Sequence, residues 1–193
     1  MSSSQPDLFG APPPPALPEG MRYAESVVPP ELQRGLLAKL PELPFRAFDF
    51  HGFLGKRRVV SFGWKYDFDQ EKLHRIDDMP ELLLPARQVA AEFAGIEPAQ
   101  LQQVLVTEYG PGAGIGWHRD KAVFGEVVGL SLLAPCTFRL RQRTGQKWER
   151  VSIEAAPGSA YLLAGAARSE WEHSIPPVER LRYSLTFRNI RIG

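Results

Sequence analysis

From Leu101 onward, apolar and polar positions alternate in short runs separated by turn residues. Residues 103–109, 127–133, 137–141, 148–153, 159–163 and 181–188 read as strands. Ala134-Pro135, Thr144-Gly145, Ala156-Pro157-Gly158, Gly165 and Pro176-Pro177 fall between them. Short strands at even spacing, with no long helix between, predict a sandwich or jelly-roll barrel. The first hundred residues follow a different pattern. Residues 21–28 predict a short strand entering the domain. Pro29-Pro30-Glu31 opens a helix to about Leu40, with Leu32, Leu36, Leu37 and Leu40 on one face. Asp78 is placed to cap a second helix over 80–94, and Leu82, Ala86, Val89, Ala90 and Phe93 form its apolar face. Gly95 ends it. The class is α+β and mainly β.

Between 45 and 75 the pattern is aromatic and basic. Phe45, Phe48, Phe50, Phe53, Phe62, Trp64, Tyr66 and Phe68 are interleaved with Lys56, Arg57, Arg58 and Lys65. Weak alternation over 59–66 predicts a hairpin. Rings beside cations suit base stacking and phosphate contact. Packing onto the core is the commoner use of such rings and is favoured on this stretch alone.

Residues 1–20 are rich in Pro and Ser, too poor in large apolar groups to offset ordering entropy, and are expected to form a disordered tail before a domain over 21–193. Within the tail, Gln5, Leu8 and Phe9 resemble the Gln-x-x-Leu-Phe peptide by which bacterial DNA-processing proteins dock on the sliding clamp. Equal retention on the clamp by a chain lacking the tail removes this expectation.

Composition narrows the classes. The formal net charge of the 193 residues is +1, so no global field draws the chain to nucleic acid or membrane. The lone Cys136 excludes an intramolecular disulfide and a cysteine-rich zinc site. No apolar run reaches spanning length and no signal-peptide layout opens the chain. A cytoplasmic monomer is the expectation.

The chemistry gathers at Gly116-Trp117-His118-Arg119-Asp120. Residues two apart on an extended segment project to one side, so His118 and Asp120 can reach one point. An imidazole and a carboxylate are two thirds of the 2-His-1-carboxylate set that holds non-haem Fe(II). His173 can be brought to the same end of a jelly roll. On the last strand, alternation separates Tyr183, Leu185 and Phe187 from Arg182, Ser184, Thr186 and Arg188. Two inward arginines are costly unless each meets an anion.

His118-x-Asp120, His173 and Arg182-Tyr-Ser-Leu-Thr-Phe-Arg188 together resemble the AlkB family of Fe(II)/2-oxoglutarate dioxygenases. The resemblance is good over 101–190 and looser over 45–75. It implies a double-stranded β-helix core over 101–190, with N-terminal helices and a substrate-recognition lid formed by the aromatic-basic hairpin. It implies His118, Asp120 and His173 as iron ligands. Arg182 and Arg188 become carboxylate partners of 2-oxoglutarate, with Tyr109, Thr107 and Ser184 beside the cosubstrate. Trp64 and Tyr66 become candidates for stacking on an extruded base, and Arg139 and Arg141 for phosphate contact. O2 is the second cosubstrate. The implied reaction couples decarboxylation of 2-oxoglutarate to oxidative dealkylation of an N-alkylated base in DNA or RNA. Thr107 and Ser184 stand where the family's best-known bacterial member has Asn, and Ala122 stands where that member has an acid that reads the base. The segment 163–173 looks similar to a branch whose substrates include protein methyl-lysine. A methyl-lysine or small-molecule hydroxylase, and a DNA-tethered module without turnover, are the competing readings.

Overall fold

A computed structural model of the chain describes residues 16–50 and 53–191. The Gln5, Leu8 and Phe9 motif lies outside them.

Two antiparallel sheets face each other. The larger runs in the order β1 (Met21–Ala24), β11 (Ala160–Leu163), β8 (Phe124–Leu132), β13 (Arg182–Ile190), β6 (Gln103–Tyr109), β3 (Phe53–Phe62), β2 (Arg46–Phe50). The smaller runs β10 (Lys147–Ala155), β9 (Cys136–Thr144), β12 (Glu172–Ile175), β7 (Ile115–His118). A two-stranded sheet pairs β4 (Trp64–Asp67) with β5 (Lys72–Arg75). Three α-helices, α1 (Pro30–Lys39), α2 (Leu84–Ala94) and the short α3 (Gly165–Ser169), and three 3-10 turns complete the described chain.

The period of two along β13 organises two cores. Tyr183, Leu185 and Phe187 pack with Val104, Val106, Val128 and Leu130 under α1 and α2, which contribute Leu36, Ala86 and Ala90. The opposite face of the same sheet meets Phe138, Leu140 and Ala155 of the smaller sheet, with Tyr109, Tyr161 and Leu163 between. Residues 182–188 of β13 are therefore buried on both sides.

Most predicted elements fall where the pattern put them, and four differ. The hairpin over 59–66 is not one hairpin: Val59–Phe62 pairs with β6, and the chain turns at Gly63 into the separate β4–β5 pair. Gly63 has φ +79, and a Cβ there would lie 2.0 Å from the Gln102 carbonyl oxygen. Asp78 does not cap the second helix. A 3-10 turn over Glu81–Leu83 precedes α2, Leu83 is its N-cap without a side-chain bond, and Asp78 pairs with Arg75. Pro85 in the first turn lacks the N–H that would most need a cap. The four-residue strands β7 and β12 were not predicted. The expected tail boundary also moves, because Glu19 O and Gly20 O accept bonds from Ala167 N and Ala164 N, and Leu17 packs on the inter-sheet core.

Candidate iron and 2-oxoglutarate site

The site lies between the sheets. β13 sets Arg182, Ser184, Thr186 and Arg188 inward, all buried. Beside it, β6 places Tyr109, Thr107 and Gln103 opposite Arg182, Ser184 and Arg188. On the smaller sheet, His173 of β12 is the register partner of His118 at the end of β7. The two imidazoles are 4.2 Å apart, centroid to centroid. Asp120 follows two residues later. Its Oδ1 accepts a bond from Arg188 Nη2 at 2.9 Å, and its Oδ2 lies 4.0 Å from His173 Nε2. Arg188 is seated further by Gln103, whose Oε1 accepts from Nη1 at 2.9 Å, and by the Phe124 ring at 5.1 Å.

Burial and neighbouring charge decide the protonation states. Burial lowers the His118 pKa against the pull of Asp120. Burial, then the facing His118, pushes His173 down to about 3. The 4.0 Å approach to Asp120 is therefore not an ion pair at neutral pH. Burial acts to raise the Asp120 carboxyl, but Arg188, then His173 and His118, outweigh it and hold the group below the usual carboxylate range. The Gly116 carbonyl can only accept, so His118 donates to it from Nδ1 at 2.9 Å, leaving the Nε2 lone pair free. Two neutral imidazoles and one ionised carboxylate are the donor chemistry Fe(II) takes. Among the described residues no three such side chains are drawn together to metal-holding geometry. Arg188 holds one oxygen of Asp120, and the other, Oδ2, is buried with no hydrogen-bond partner among the described residues. Oδ2 is the atom a cation would recruit.

These shifts link stability to pH. His173 stays neutral in the fold down to about pH 3, whereas its ordinary value is 6.5, so the unfolded chain binds more protons between them. Asp120 acts with the same sign below its ordinary 3.8. Stability of the metal-free protein is expected to rise with pH up to about 6.5 and then level off. Thermal melts at pH 5 and pH 7 check this, and a higher Tm at pH 5 contradicts it.

At the other end of β13, Arg182 is 2% exposed. Its Nη2 donates to Ser131 Oγ at 3.0 Å and its guanidinium carbon lies 4.9 Å from the Tyr109 ring centroid. Nε and Nη1 are buried with no hydrogen-bond partner among the described residues. A buried guanidinium with open donors calls for an anion.

Several site residues were not singled out from the sequence. Tyr161 stacks on Phe138 at 4.5 Å, and Phe138 stacks on His173 at 5.5 Å. Gly129 makes room for this column, because a Cβ there would lie 2.1 Å from the Tyr161 ring. Gln103 and Ser131 carried a legible signal, being polar residues at inward strand positions. Arg57 also reaches the site. Burial lowers its pKa, and its charge acts on Tyr109 and His118.

A rim of rings runs from Arg57 to Lys121. Arg57 lies 3.8 Å over Phe48, Phe48 is 6.2 Å from Phe68, Phe68 is 5.2 Å from Tyr66, and the Lys121 ammonium sits 5.2 Å over Tyr66. Trp64, also on β4, faces Arg75 at 5.8 Å. Arg139 and Arg141 lie on the outer face of the smaller sheet, where they have intramolecular partners. Arg139 Nε donates to Ser174 Oγ at 3.0 Å, and Arg141 Nε donates to Glu172 Oε2 at 2.6 Å. Arg141 is also stacked between Trp117 at 4.4 Å and Trp148 at 4.2 Å. Any phosphate would compete with these contacts.

Residues 20–192 match the model of the 2OG-Fe(II) oxygenase superfamily. The chain belongs to that superfamily. Several of the curated relatives are AlkB homologues. An Arabidopsis thaliana protein described as an alkylated DNA repair protein ALKBH8 homolog is 27% identical over 147 residues, covering 64% of this chain and 42% of that protein. A Bos taurus mitochondrial protein, alpha-ketoglutarate-dependent dioxygenase alkB homolog 7, is 35% identical over 127 residues, covering 63% and 56%. The chain spans about half the length, or less, of the curated relatives it matches. Among solved structures, OsALKBH1 superposes with TM-score 0.67 at 18% identity, covering 92% of this chain and all of that one. A Pseudomonas putida prolyl-4-hydroxylase superposes with TM-score 0.61 at 18% identity, covering 90% and 94%. This AlkB-family member of the 2OG-Fe(II) oxygenase superfamily has the double-stranded β-helix fold. The family works with Fe(II), 2-oxoglutarate and O2. Among the described residues no helix is long and apolar enough to cross a membrane.

Proposed function

We propose that this dioxygenase removes N-linked alkyl groups from bases in DNA or RNA. His118, Asp120 and His173 hold the iron. Arg182 takes the far carboxylate of 2-oxoglutarate with Tyr109 alongside, and Arg188 takes the near one. The observation that carries this reading is Arg182, whose two buried donors have no hydrogen-bond partner among the described residues, on the same inward face of β13 as Arg188, which holds Asp120.

The bound iron supplies the oxidising power for decarboxylation and hydroxylation. The protein's own part is orientation and exclusion of water. Gln103 and Phe124 fix Arg188, and the Tyr161–Phe138 column fixes the ring of His173. The β4–β5 hairpin serves as the lid. Its Tyr66 and Phe68, with Phe48, offer faces on which an extruded base stacks, while Arg57 and Lys121 at either end suit phosphates.

The test mixes the protein with Fe(II), 2-oxoglutarate and separate panels of methylated oligonucleotides and methyl-lysine peptides. Succinate and formaldehyde are measured. Release stimulated by oligonucleotides is expected. Release stimulated only by peptides transfers the assignment to a protein hydroxylase. Salt-sensitive oligonucleotide binding without succinate leaves only a tethering role.

A further inference from the structure

Arg168 sits on α3, five residues before His173, and is 6% exposed. Its guanidinium meets no carboxylate among the described residues. It meets three backbone carbonyls instead. Nε donates to Gly125 O, and Nη2 donates to both Lys121 O and Phe124 O, each at 2.7 Å. The three acceptors span the turn that directly follows Asp120 and the first two residues of β8. The turn itself is closed by Phe124 N donating to Lys121 O at 3.0 Å. A second arginine crosses in the opposite direction, as Arg119 Nη1 donates to Ser169 O at the end of α3. The segments that flank Asp120 and His173 are thus bound to each other by a reciprocal pair of arginines.

The bonds are charge-assisted and short, and the planar fork fits three carbonyls that no point charge would reach together. Phe124 adds a second consequence. Its ring is the floor under Arg188, which holds Asp120 Oδ1. Arg168 therefore fixes the position of Asp120 twice, through Lys121 next to it in sequence and through the Phe124–Arg188 stack.

We infer that Arg168 is a positioning residue that holds Asp120 in register with His173, so that the donors close on one cation. The inference rests on the iron-site reading above. Arg168 touches neither metal nor cosubstrate and acts only through the turn.

The test is binding of Mn(II) alone to the full chain, by calorimetry, for wild type, Arg168→Ala, Arg168→Lys and the control Arg22→Ala. Arg22 also donates to a carbonyl, Ala94 O, but far from the site in sequence and on α2. Arg168→Ala is expected to bind Mn(II) about tenfold or more weakly, in the range that supporting partners of metal ligands show. Arg168→Lys should recover part of the loss, and Arg22→Ala should match wild type. Hydrogen exchange should quicken at amides 121–126 in Arg168→Ala while β6 and β13 stay protected. A merely structural role would lower Tm and leave Mn(II) affinity at wild-type strength in the folded protein, and that result overturns the inference. Should Arg168→Ala not fold, Arg168→Lys decides by the same affinity. Wild type failing to bind Mn(II) overturns the inference together with the iron-site reading, whereas equal binding by wild type and Arg168→Ala overturns the inference alone.

Discussion

Asp120→Ala is expected to abolish substrate-stimulated succinate formation, with a loss beyond the roughly 100-fold that follows removal of a supporting group around a metal. His118→Ala should do the same. The reason is the donor set: without the carboxylate, two neutral imidazoles remain facing a buried cation, Arg188. That leaves a second mark. Arg188 keeps Gln103 but loses its only ion-pair partner among the described residues. Breaking such a pair from one side costs on the order of 3–5 kcal/mol. Asp120→Asn retains an oxygen for Arg188 and should recover much of that stability without recovering turnover. Succinate release and thermal melts on the two variants check the split. Succinate release from Asp120→Ala at above about one hundredth of the wild-type rate sinks the ligand role.

The strand that carries both arginines was the most legible part of the chain. Arg182, Ser184, Thr186 and Arg188 alternate with Tyr183, Leu185 and Phe187, and this period alone sorts the two faces that the structure buries in different places. Residues 103–109 were equally legible, for the same reason. His118 and His173 were placed together by the family resemblance, not by any period in the chain. Their pairing follows from the register of β7 on β12, two four-residue strands. One holds Gly116 and Trp117, the other stops at Ile175 before Pro176, and neither shows a period long enough to detect. The arginines at 139 and 141 illustrate a different limit. Their partners Glu172, Ser174 and Trp117 come from β12 and β7, so what compensates them is non-local. The 59–66 stretch does not form one hairpin because Gly63 breaks it in the middle. Its left-handed backbone lets the chain leave the large sheet there. Arg168 carried no signal at all, since three backbone carbonyls have no signature in sequence.

Arg182→Met is expected to shift cosubstrate binding and stability in opposite directions. Among the described residues, Arg182 is a buried cation with two unpartnered donors, held by Ser131 Oγ and the Tyr109 face. Replacing buried charge by an apolar side chain of similar volume is often neutral or stabilising by about 1–4 kcal/mol. The Tm of the free protein should therefore stay level or rise. Binding of 2-oxoglutarate should weaken by about two orders of magnitude or more, because two charge-assisted bonds of roughly 1.5–3 kcal/mol each are lost. The two effects separate in one experiment, thermal melts with and without 2-oxoglutarate. Wild type gains Tm with ligand concentration by mass action, and Arg182→Met loses that gain at the same concentrations. A variant that melts lower than wild type but keeps its full 2-oxoglutarate response would make Arg182 a core residue. The anion would then belong elsewhere, and Arg188 would be the remaining candidate.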